Sequence, residues 1–156
     1  MGDWEADTII EKAHKQAIVS MTERKSGLAL IYIVDRRTKG NTESEIKRLL
    51  SPISDQVYTI TSDNGKEFAN HEDIAKGLKC AFYFAHASSS WERDTNENTN
   101  GFIRQYFPKD RDFRTITDME LIHAMQRINN HPRKRLGFKT PNEVSFGQSD
   151  NVVLTT

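Results

Sequence analysis

Three apolar segments in the first third of the chain are separated by connections of only five or six residues. The segments cover 4–10, 17–22 and 28–34, and the third is rich in β-branched and aliphatic residues. Two parallel strands need a crossover of a dozen or more residues, so connections this short permit only hairpins. The chain is therefore predicted to begin with three antiparallel strands.

The middle of the chain alternates between helical and strand patterns. Thr42 and Glu45 fit a capping box, and apolar residues then recur at helical spacing, at Ile46, Leu49, Leu50 and Ile53. A strand over 57–61, a helix over 71–79 and a strand over 81–84 follow. A strand that follows a helical crossover usually runs parallel to its partner, so two parallel strands are expected beside the three antiparallel ones.

The remainder of the chain is predicted to be helical. One helix covers 95–106, a second is capped by Thr117 and Glu120, and a short third begins at 140–143 with Pro141 in its first turn. The order βββαβαβ followed by helices predicts an α/β fold, a five-stranded mixed sheet with helices on both faces. The ribonuclease H-like fold matches this order best. We expect one domain over 1–148 and a tail over 149–156.

Composition excludes several classes of protein. No apolar run approaches the ~18 residues of a membrane helix, and the acidic start of the chain is unlike a signal peptide. Cys80 is the single cysteine, so no internal disulfide can form, which fits a reducing cytosol. We interpret Cys80 as a small buried hydrophobic residue.

The formal net charge is zero, but the charges are unevenly distributed. Between residues 101 and 140 the chain has nine Lys or Arg residues and four Asp or Glu residues. This excess suits contact with a phosphate backbone. A solvated basic face explains it equally well, so charge alone does not decide between the two interpretations.

Three acidic residues occupy positions suited to a shared site. Asp7 lies inside the first strand, where Asp is depleted, and Asp63 follows the fourth strand, next to an Asn-Gly turn. Glu97 lies in the first turn of a helix. Each has an ordinary alternative: Asp7 faces water from an edge or pairs with Arg, Asp63 belongs to a simple turn, and Glu97 completes a capping box over 94–97.

The combination is harder to explain without a cation. Arg93, Glu97, Asn100, Gly101 and Arg104 share one helix face, which suits a phosphate ligand. Three carboxylates brought together repel one another unless a cation joins them. Mg²⁺ prefers such oxygen ligands, and two ions about 3.5–4 Å apart support in-line displacement at phosphorus. We expect the first strand to lie beside the fourth, with Asp7 and Asp63 sharing one ion and Glu97 holding the second with Asp7.

Several segments of the sequence resemble the catalytic region of insertion sequence 30 family transposases, within the DDE transposase and retroviral integrase superfamily. The matching segments are 2–9, 61–68, 89–109, 130–133 and 140–143. The resemblance implies the catalytic triad Asp7, Asp63 and Glu97, with 33 residues between the last two. It also implies two Mg²⁺ or Mn²⁺ ions as cofactors.

The resemblance further implies phosphoryl transfer on DNA. Water first frees a 3′-hydroxyl at the end of the mobile element, and that hydroxyl then attacks a target phosphodiester. Arg93, Arg104 and Lys109 are expected to bind phosphates, and Asn100 to orient a water or a phosphate oxygen. Trp91 is expected to stack on a base, with core packing as its alternative. Homo-oligomers on DNA, transposon ends and target DNA as partners, and a place in the bacterial cytoplasm near the nucleoid are also expected.

The chain departs from the family pattern at several positions. Glu11 and Asp94 stand where the family usually has Gly, and Ala87-Ser88 where it has Pro-Tyr. Family members carry an N-terminal helix-turn-helix region that this chain lacks, so we expect a fragment or a truncated reading frame. Two alternative functions therefore stay open: a ribonuclease H-like nuclease that only hydrolyses, and a remnant that binds DNA or full-length transposase. A purely structural domain would leave the spaced acids unexplained.

Overall fold

The computed structural model describes residues 1–13, 15–85 and 94–147, and over 94–97 it describes the backbone alone. The strands are β1 Asp3–Ile10, β2 Ala17–Glu23, β3 Ala29–Val34, β4 Thr59–Ser62 and β5 Ala81–Phe84. The helices are α1 Lys39–Leu50, α2 His71–Leu78, α3 Asp94–Tyr106, α4 Asp118–Asn129 and α5 Pro141–Phe146. Short 3₁₀ helices cover Ser51–Gln56, Lys66–Phe68, Phe113–Thr115 and Lys134–Leu136. The predicted order of elements is confirmed.

All five strands form one sheet in the order β3-β2-β1-β4-β5. The pairs β1–β2 and β2–β3 are antiparallel, whereas β1–β4 and β4–β5 are parallel. The predicted mixture of three antiparallel and two parallel strands is therefore confirmed, and β1 lies beside β4 as expected. Because β1, β3, β4 and β5 all run in the same direction, their carboxyl ends meet at one edge of the sheet.

The sheet has a separate apolar core on each face. On β1, Trp4 and Ala6 belong to the core that includes residues of α1 and α2, and Ile9 belongs to the core that includes residues of α3 and α4. This alternation follows from the period of two in a strand, which sends successive side chains to opposite faces. Asp7 shares the face of Ile9 and Thr8 shares the face of Trp4. The prediction of helices on both faces is confirmed.

The start of α1 differs from the prediction. The N-cap is Thr38, whose side-chain oxygen accepts a hydrogen bond from the Asn41 backbone N–H at 3.1 Å. Thr42 is buried inside the helix, and its own N–H already donates to the Thr38 carbonyl. The capping box assigned to Thr42 and Glu45 was therefore wrong, because Thr38 offers an equally good cap one turn earlier.

Most other local predictions agree with the structure. The apolar face of Ile46, Leu49 and Leu50 is buried, and Ile53 is buried too, although it lies in the 3₁₀ helix that contains Pro52. Thr117 caps α4 by accepting from the Glu120 N–H, and Thr140 forms a complete capping box with Glu143. β4 begins two residues later than predicted, since the Val57 N–H closes the preceding 3₁₀ helix on Ser54.

An asparagine of α4 covers the edge strand of the sheet. The Asn129 side chain accepts from the Ala29 N–H and donates to the Ala29 carbonyl, both at 2.8 Å. An edge strand presents backbone groups without a neighbouring strand, and buried groups of this kind need partners. Asn129 therefore replaces a sixth strand at this point and ties α4 to β3.

Two smaller expectations also concern the described part of the chain. In that part, no helix is long and apolar enough to cross a membrane. Cys80 is a free thiol packed against the core, where burial raises its pKa. Residues 149–156, the predicted tail, lie outside the described residues, so the domain boundary stays a prediction.

Candidate active site

Asp7 lies in the central strand of the sheet, and both of its carboxylate oxygens accept hydrogen bonds. Oδ1 accepts from the Thr8 backbone N–H at 2.8 Å, and Oδ2 accepts from Asn100 Nδ2 of α3 at 2.7 Å. β1 is not an edge strand of the sheet, since it pairs with β2 on one side and with β4 on the other, and Asp7 lies two residues past the last β1–β4 pair. A half-buried carboxylate in mid-sheet is thus oriented by a side chain 93 residues away.

Asp63 directly follows β4, at the edge where the parallel strands end. Its Oδ1 accepts a hydrogen bond from the Gly65 N–H at 3.0 Å, and its backbone carbonyl accepts one from Ser62 Oγ at 2.8 Å. This is the local turn that Asp-Asn-Gly favours. The turn keeps the half-buried Asp63 carboxylate close to its own loop, at the carboxyl end of a parallel strand, where ligands gather in sheets of this type.

The register of β1 and β4 brings Asp7 and Asp63 to the same level. The paired residues are Asp3 with Thr59, Trp4 with Ile60 and Glu5 with Thr61. Continuing the same offset beyond the last pair sets Asp7 opposite Asp63. Asp7 lies on β1 and Asp63 directly follows β4, so two carboxylates that are distant in sequence belong to neighbouring segments at one edge of the sheet.

A further carboxylate, which sequence reasoning missed, lies beside this pair. Glu67 is buried in the 3₁₀ helix after Asp63, and its Oε1 accepts a hydrogen bond from Thr8 Oγ1 at 2.8 Å. A Cβ on Gly65 would lie 2.5 Å from Glu67 Oε2 and 2.9 Å from Asp63 Oδ1. Glu67 stands inside the family-like segment 61–68, which was the one available signal. Nothing in its spacing distinguished it from a solvated acid.

The face of α3 that contacts β1 carries two of the predicted site residues. Asn100 donates to Asp7, and one turn later Arg104 Nη2 donates to the Ile10 carbonyl at 2.7 Å. Burial lowers the pKa of the Arg104 guanidinium, and its Nη1 has no hydrogen-bond partner among the described residues. These two bonds align α3 along β1.

The remaining predicted site residues are less completely described. Glu97 belongs to α3, three positions before Asn100, and its side chain is outside the described atoms, so the predicted capping box over 94–97 stays a prediction. Trp91 and Arg93 lie outside the described residues, as do Ala87 and Ser88. Lys109 is exposed, and its backbone carbonyl accepts from the Lys12 N–H at 3.0 Å.

The donor set suits hard divalent cations. Asp7 and Asp63 offer carboxylate oxygens, which Mg²⁺ and Mn²⁺ prefer. Over the side chains that the structure describes, no group of three or more carboxylate, imidazole or thiol residues is assembled for a metal. The third predicted ligand, Glu97, is outside that set.

A wide groove opens beside the site, at the same end of the sheet. It has a volume of about 860 Å³ and is formed by the β1–β2 turn, the β3–α1 loop and the segment after α3. Among its described lining residues, four are Asp or Glu and six are Lys or Arg, namely Lys12, Lys15, Arg36, Arg37, Arg111 and Arg114. Arg111 pairs with Glu120 and Arg114 pairs with Asp112. Arg37 lies 3.9 Å from Glu67, so the groove leads to the acidic residues.

Glu11, a departure from the family pattern, has a structural role at the floor of this groove. It is buried, its Oε1 accepts from the Gln16 N–H at 3.3 Å, and its Oε2 accepts from the Phe113 N–H at 2.8 Å. The carboxylate therefore joins the β1–β2 turn to the segment after α3, a connection that Gly at this position could not make.

Comparison with known proteins identifies relatives over about nine tenths of the chain. No family model matches the chain. The transposase for insertion sequence element IS4351 of Bacteroides fragilis is 45% identical over 146 residues, which cover 91% of this chain and 44% of that protein. Transposase InsI for insertion sequence element IS30A of Escherichia coli K12 is 35% identical over 145 residues, 92% of this chain and 38% of that protein. The chain thus spans less than half the length of these relatives.

Solved structures confirm the fold. The catalytic core domain of BIV integrase superposes with a TM-score of 0.66 at 21% identity, covering 92% of each chain. A chain of the simian T-cell lymphotropic virus intasome gives a TM-score of 0.75 at 17% identity, covering 99% of this chain and 59% of its own. The predicted ribonuclease H-like fold is therefore confirmed. Relatives that are 31–45% identical to the chain over about nine tenths of its length are transposases of IS30A and of other insertion sequence elements.

Proposed function

We propose that the chain is the catalytic core of a DNA transposase, which cuts at transposon ends and joins the freed 3′-hydroxyl to target DNA. The observation that supports this proposal is the parallel pairing of β1 with β4, whose offset, continued two residues past its last pair, sets Asp7 opposite Asp63, while Asn100 of α3 donates a hydrogen bond to Asp7. Homology to transposases over about nine tenths of the chain supports it.

Asp7, Asp63 and Glu97 are the proposed ligands of two Mg²⁺ or Mn²⁺ ions. When bound, such ions stabilise charge on the attacking and leaving oxygens of an in-line displacement. The role of Asn100 is to hold Asp7 Oδ2 in a fixed direction and to anchor α3 on β1. Helical spacing sets position 97 on the same face as positions 100 and 104, so the anchoring of α3 also decides where Glu97 can reach.

The proposed reaction has two displacements at phosphorus. In the first, a water oxygen bonds to the phosphorus at the end of the element, the bond from phosphorus to the 3′-oxygen breaks, and that oxygen leaves as a hydroxyl. In the second, this hydroxyl oxygen bonds to a target phosphorus and loses its proton, while the bond from that phosphorus to the target 3′-oxygen breaks and that oxygen takes up a proton and leaves as a hydroxyl. No covalent bond between protein and DNA is formed. The protein therefore orients the DNA and neutralises its phosphate charge, but it supplies no nucleophile.

We infer that DNA approaches the acids along the groove. Lys12, Lys15 and Arg36 are exposed there, and no ion pair with another described residue occupies them. Arg104 and Lys109 border the same end of β1 and are proposed as phosphate contacts; contact with Arg104 would require its buried Nη1 to become exposed. Arg93 is proposed as a phosphate ligand and Trp91 as a stacking residue. A homo-oligomer on DNA, in the bacterial cytoplasm, is the proposed working form.

If DNA lies along the groove, the salt dependence of DNA binding should change when the exposed cations of the groove are replaced. Reversing two charges, with Lys15→Glu and Arg36→Glu together, should weaken DNA binding and lower the slope of log affinity against log salt by roughly 1.8, since each phosphate contact contributes about 0.9. Fluorescence anisotropy of a labelled duplex at several salt concentrations measures the slope. Lys76→Glu with Lys79→Glu, on and beside α2, makes the same charge change elsewhere. Equal slopes for the two double variants would exclude the groove as the path of DNA.

The proposed activity is tested by assaying cleavage and joining separately. The chain, and a chimaera in which it replaces the matching segment of the Bacteroides fragilis transposase, are incubated with terminal-repeat oligonucleotides and Mg²⁺ or Mn²⁺. A transposase core in the chimaera gives both nicked ends and joined products. Nicking without joined products would instead indicate a nuclease that only hydrolyses. Retarded DNA bands without cleavage would indicate a remnant that binds but does not react.

A further inference from the structure

We propose that Glu67 is a positioning residue, which sets Asp63 against Asp7 through its hydrogen bond with Thr8. The inference rests on the proposed function, since it concerns how the two carboxylates are brought together. Thr8 and Glu67 are 59 residues apart in sequence, and their side chains meet at 2.8 Å.

The backbone pairing of β1 with β4 ends before the level of the acids. Its last pair is Glu5 with Thr61, and β4 itself ends at Ser62. Asp7 and Asp63 are therefore two residues beyond the described ladder, where strand pairing no longer fixes their separation. The bond from Thr8 to Glu67 crosses between the same two segments one residue beyond Asp7, and so supplies the connection that the ladder lacks.

The loop that carries Asp63 is built so that Glu67 can reach β1. Phe68 is fully buried and anchors the 3₁₀ helix Lys66–Phe68, while the Asp63 carboxylate accepts from the Gly65 N–H. Gly65 lets both carboxylates approach, because a Cβ there would lie 2.5 Å from Glu67 Oε2 and 2.9 Å from Asp63 Oδ1. A displacement of Glu67 would therefore move the neighbouring Asp63 side chain as well.

We attribute the positioning of Asp63 to the hydrogen bond between Thr8 and Glu67, and not to the negative charge of Glu67. Arg37 is the cation paired with Glu67, but its Nη1 is 3.9 Å away and its side chain is 42% exposed. A pair at that distance and exposure is weak because water screens it. Thr8 Oγ1, at 2.8 Å from a buried carboxylate oxygen, makes the shorter and better-shielded contact.

The variants that test this separate the bond from the charge. Thr8→Val removes the hydroxyl and keeps the shape, whereas Thr8→Ser keeps the hydroxyl. Glu67→Gln keeps an acceptor oxygen and removes the charge. Thr59→Val is the matched control, because Thr59 Oγ1 donates to Asp3 Oδ1 at 2.7 Å and so joins the same two strands at their other end.

The measurement is Mn²⁺ binding to the purified chain by electron paramagnetic resonance, with thermal unfolding beside it. Groups that orient a metal ligand through a hydrogen bond, without touching the metal themselves, typically contribute 10- to 100-fold to metal affinity. We therefore expect Thr8→Val to weaken Mn²⁺ binding by at least about tenfold. Thr8→Ser and Thr59→Val should bind like the parent, and Glu67→Gln, which keeps the acceptor oxygen, should lose less affinity than Thr8→Val. Thr59→Val should lower the melting temperature about as much as Thr8→Val does.

Two results would overturn the inference. One is an equal loss of Mn²⁺ affinity in Thr8→Val and Thr59→Val. That result would mean that the Thr8 bond only helps to hold the two strands together and does not position Asp63. The other is weak binding in Glu67→Gln with normal binding in Thr8→Val, which would make the charge of Glu67 the cause.

A second readout separates this inference from the proposed function. If Asp63→Asn binds Mn²⁺ like the parent, the proposed metal site fails, and the positioning role is then judged by amide hydrogen exchange alone. Thr8→Val should speed exchange in the loop 63–66, and Thr59→Val should not. If Thr8→Val leaves amide exchange in that loop unchanged, the inference is overturned, whatever the result of the Mn²⁺ binding experiment.

Discussion

Replacing Asp63 with Asn should remove metal-dependent DNA cleavage by the chimaera while the protein stays folded. Asn keeps a side-chain oxygen that can accept from the Gly65 N–H, so the turn after β4 is preserved. What is lost is one of the negative charges that would hold the cations. Catalytic metals contribute several kcal/mol of transition-state stabilisation, and each 1.36 kcal/mol is tenfold in rate. A loss on the order of 10³-fold or more is expected.

The measurement is the initial rate of nicking on terminal-repeat oligonucleotides at saturating Mg²⁺. Asp55→Asn is the control, because Asp55 is an exposed acid in the 3₁₀ helix Ser51–Gln56, at the other end of β4. It should cleave like the parent. An Asp63→Asn variant that also cleaves at the parent rate would remove Asp63 from the active site.

The second large effect concerns stability. Phe68 is fully buried beneath the loop that carries Asp63, and its ring lies 6.3 Å from that of Phe82 on β5. Truncation of a buried Phe to Ala typically costs about 3–5 kcal/mol, from lost transfer energy and the remaining cavity. We expect Phe68→Ala to reduce the free energy of unfolding by that amount, as measured by urea denaturation.

Phe138→Ala is the matched control for this prediction. Phe138 is 70% exposed, and substitutions at exposed positions usually change stability by less than about 0.5 kcal/mol. A cost below about 1 kcal/mol for Phe68→Ala would contradict the account, since it would mean that the ring does not hold the loop in the core.

The order of elements could be predicted because it depends on local signals. Connections of five and six residues left hairpins as the only possibility for the first three strands, and the period of apolar residues identified α1, α2 and α4. The start of α1 could not be decided in the same way. Thr38 and Thr42 are both good N-cap residues, and the choice depends on where the chain leaves β3.

The roles of the acidic residues were harder to predict, because they depend on contacts between residues that are distant in sequence. The sequence indicated that Asp7 and Asp63 lie on neighbouring strands, and the register of β1 with β4 agrees. The bond from Asn100 to Asp7 was not predicted, since helical spacing can assign a face of α3 but not the residue opposite it. Asn100 was expected to orient a water or a phosphate oxygen; in the structure it donates to the carboxylate itself.

Glu67 and Glu11 illustrate a further limit. Both are acids in short connections, where solvation is the usual outcome, yet both are buried. The Thr8 hydroxyl donates a hydrogen bond to the buried Glu67 carboxylate, and the Gln16 and Phe113 backbone N–H groups donate to the buried Glu11 carboxylate. These partners include one 59 and one 102 residues away. No pattern within a local window contains that information.

The central claim is that Asp7, Asp63 and Glu97 enclose a pair of divalent cations. Anomalous diffraction from a crystal of the chain grown with Mn²⁺ tests it most directly. The account predicts two adjacent anomalous peaks bounded by the carboxylate oxygens of these three residues. Mn²⁺ found only elsewhere on the protein, with Glu97 turned away from Asp7 and Asp63, would contradict it.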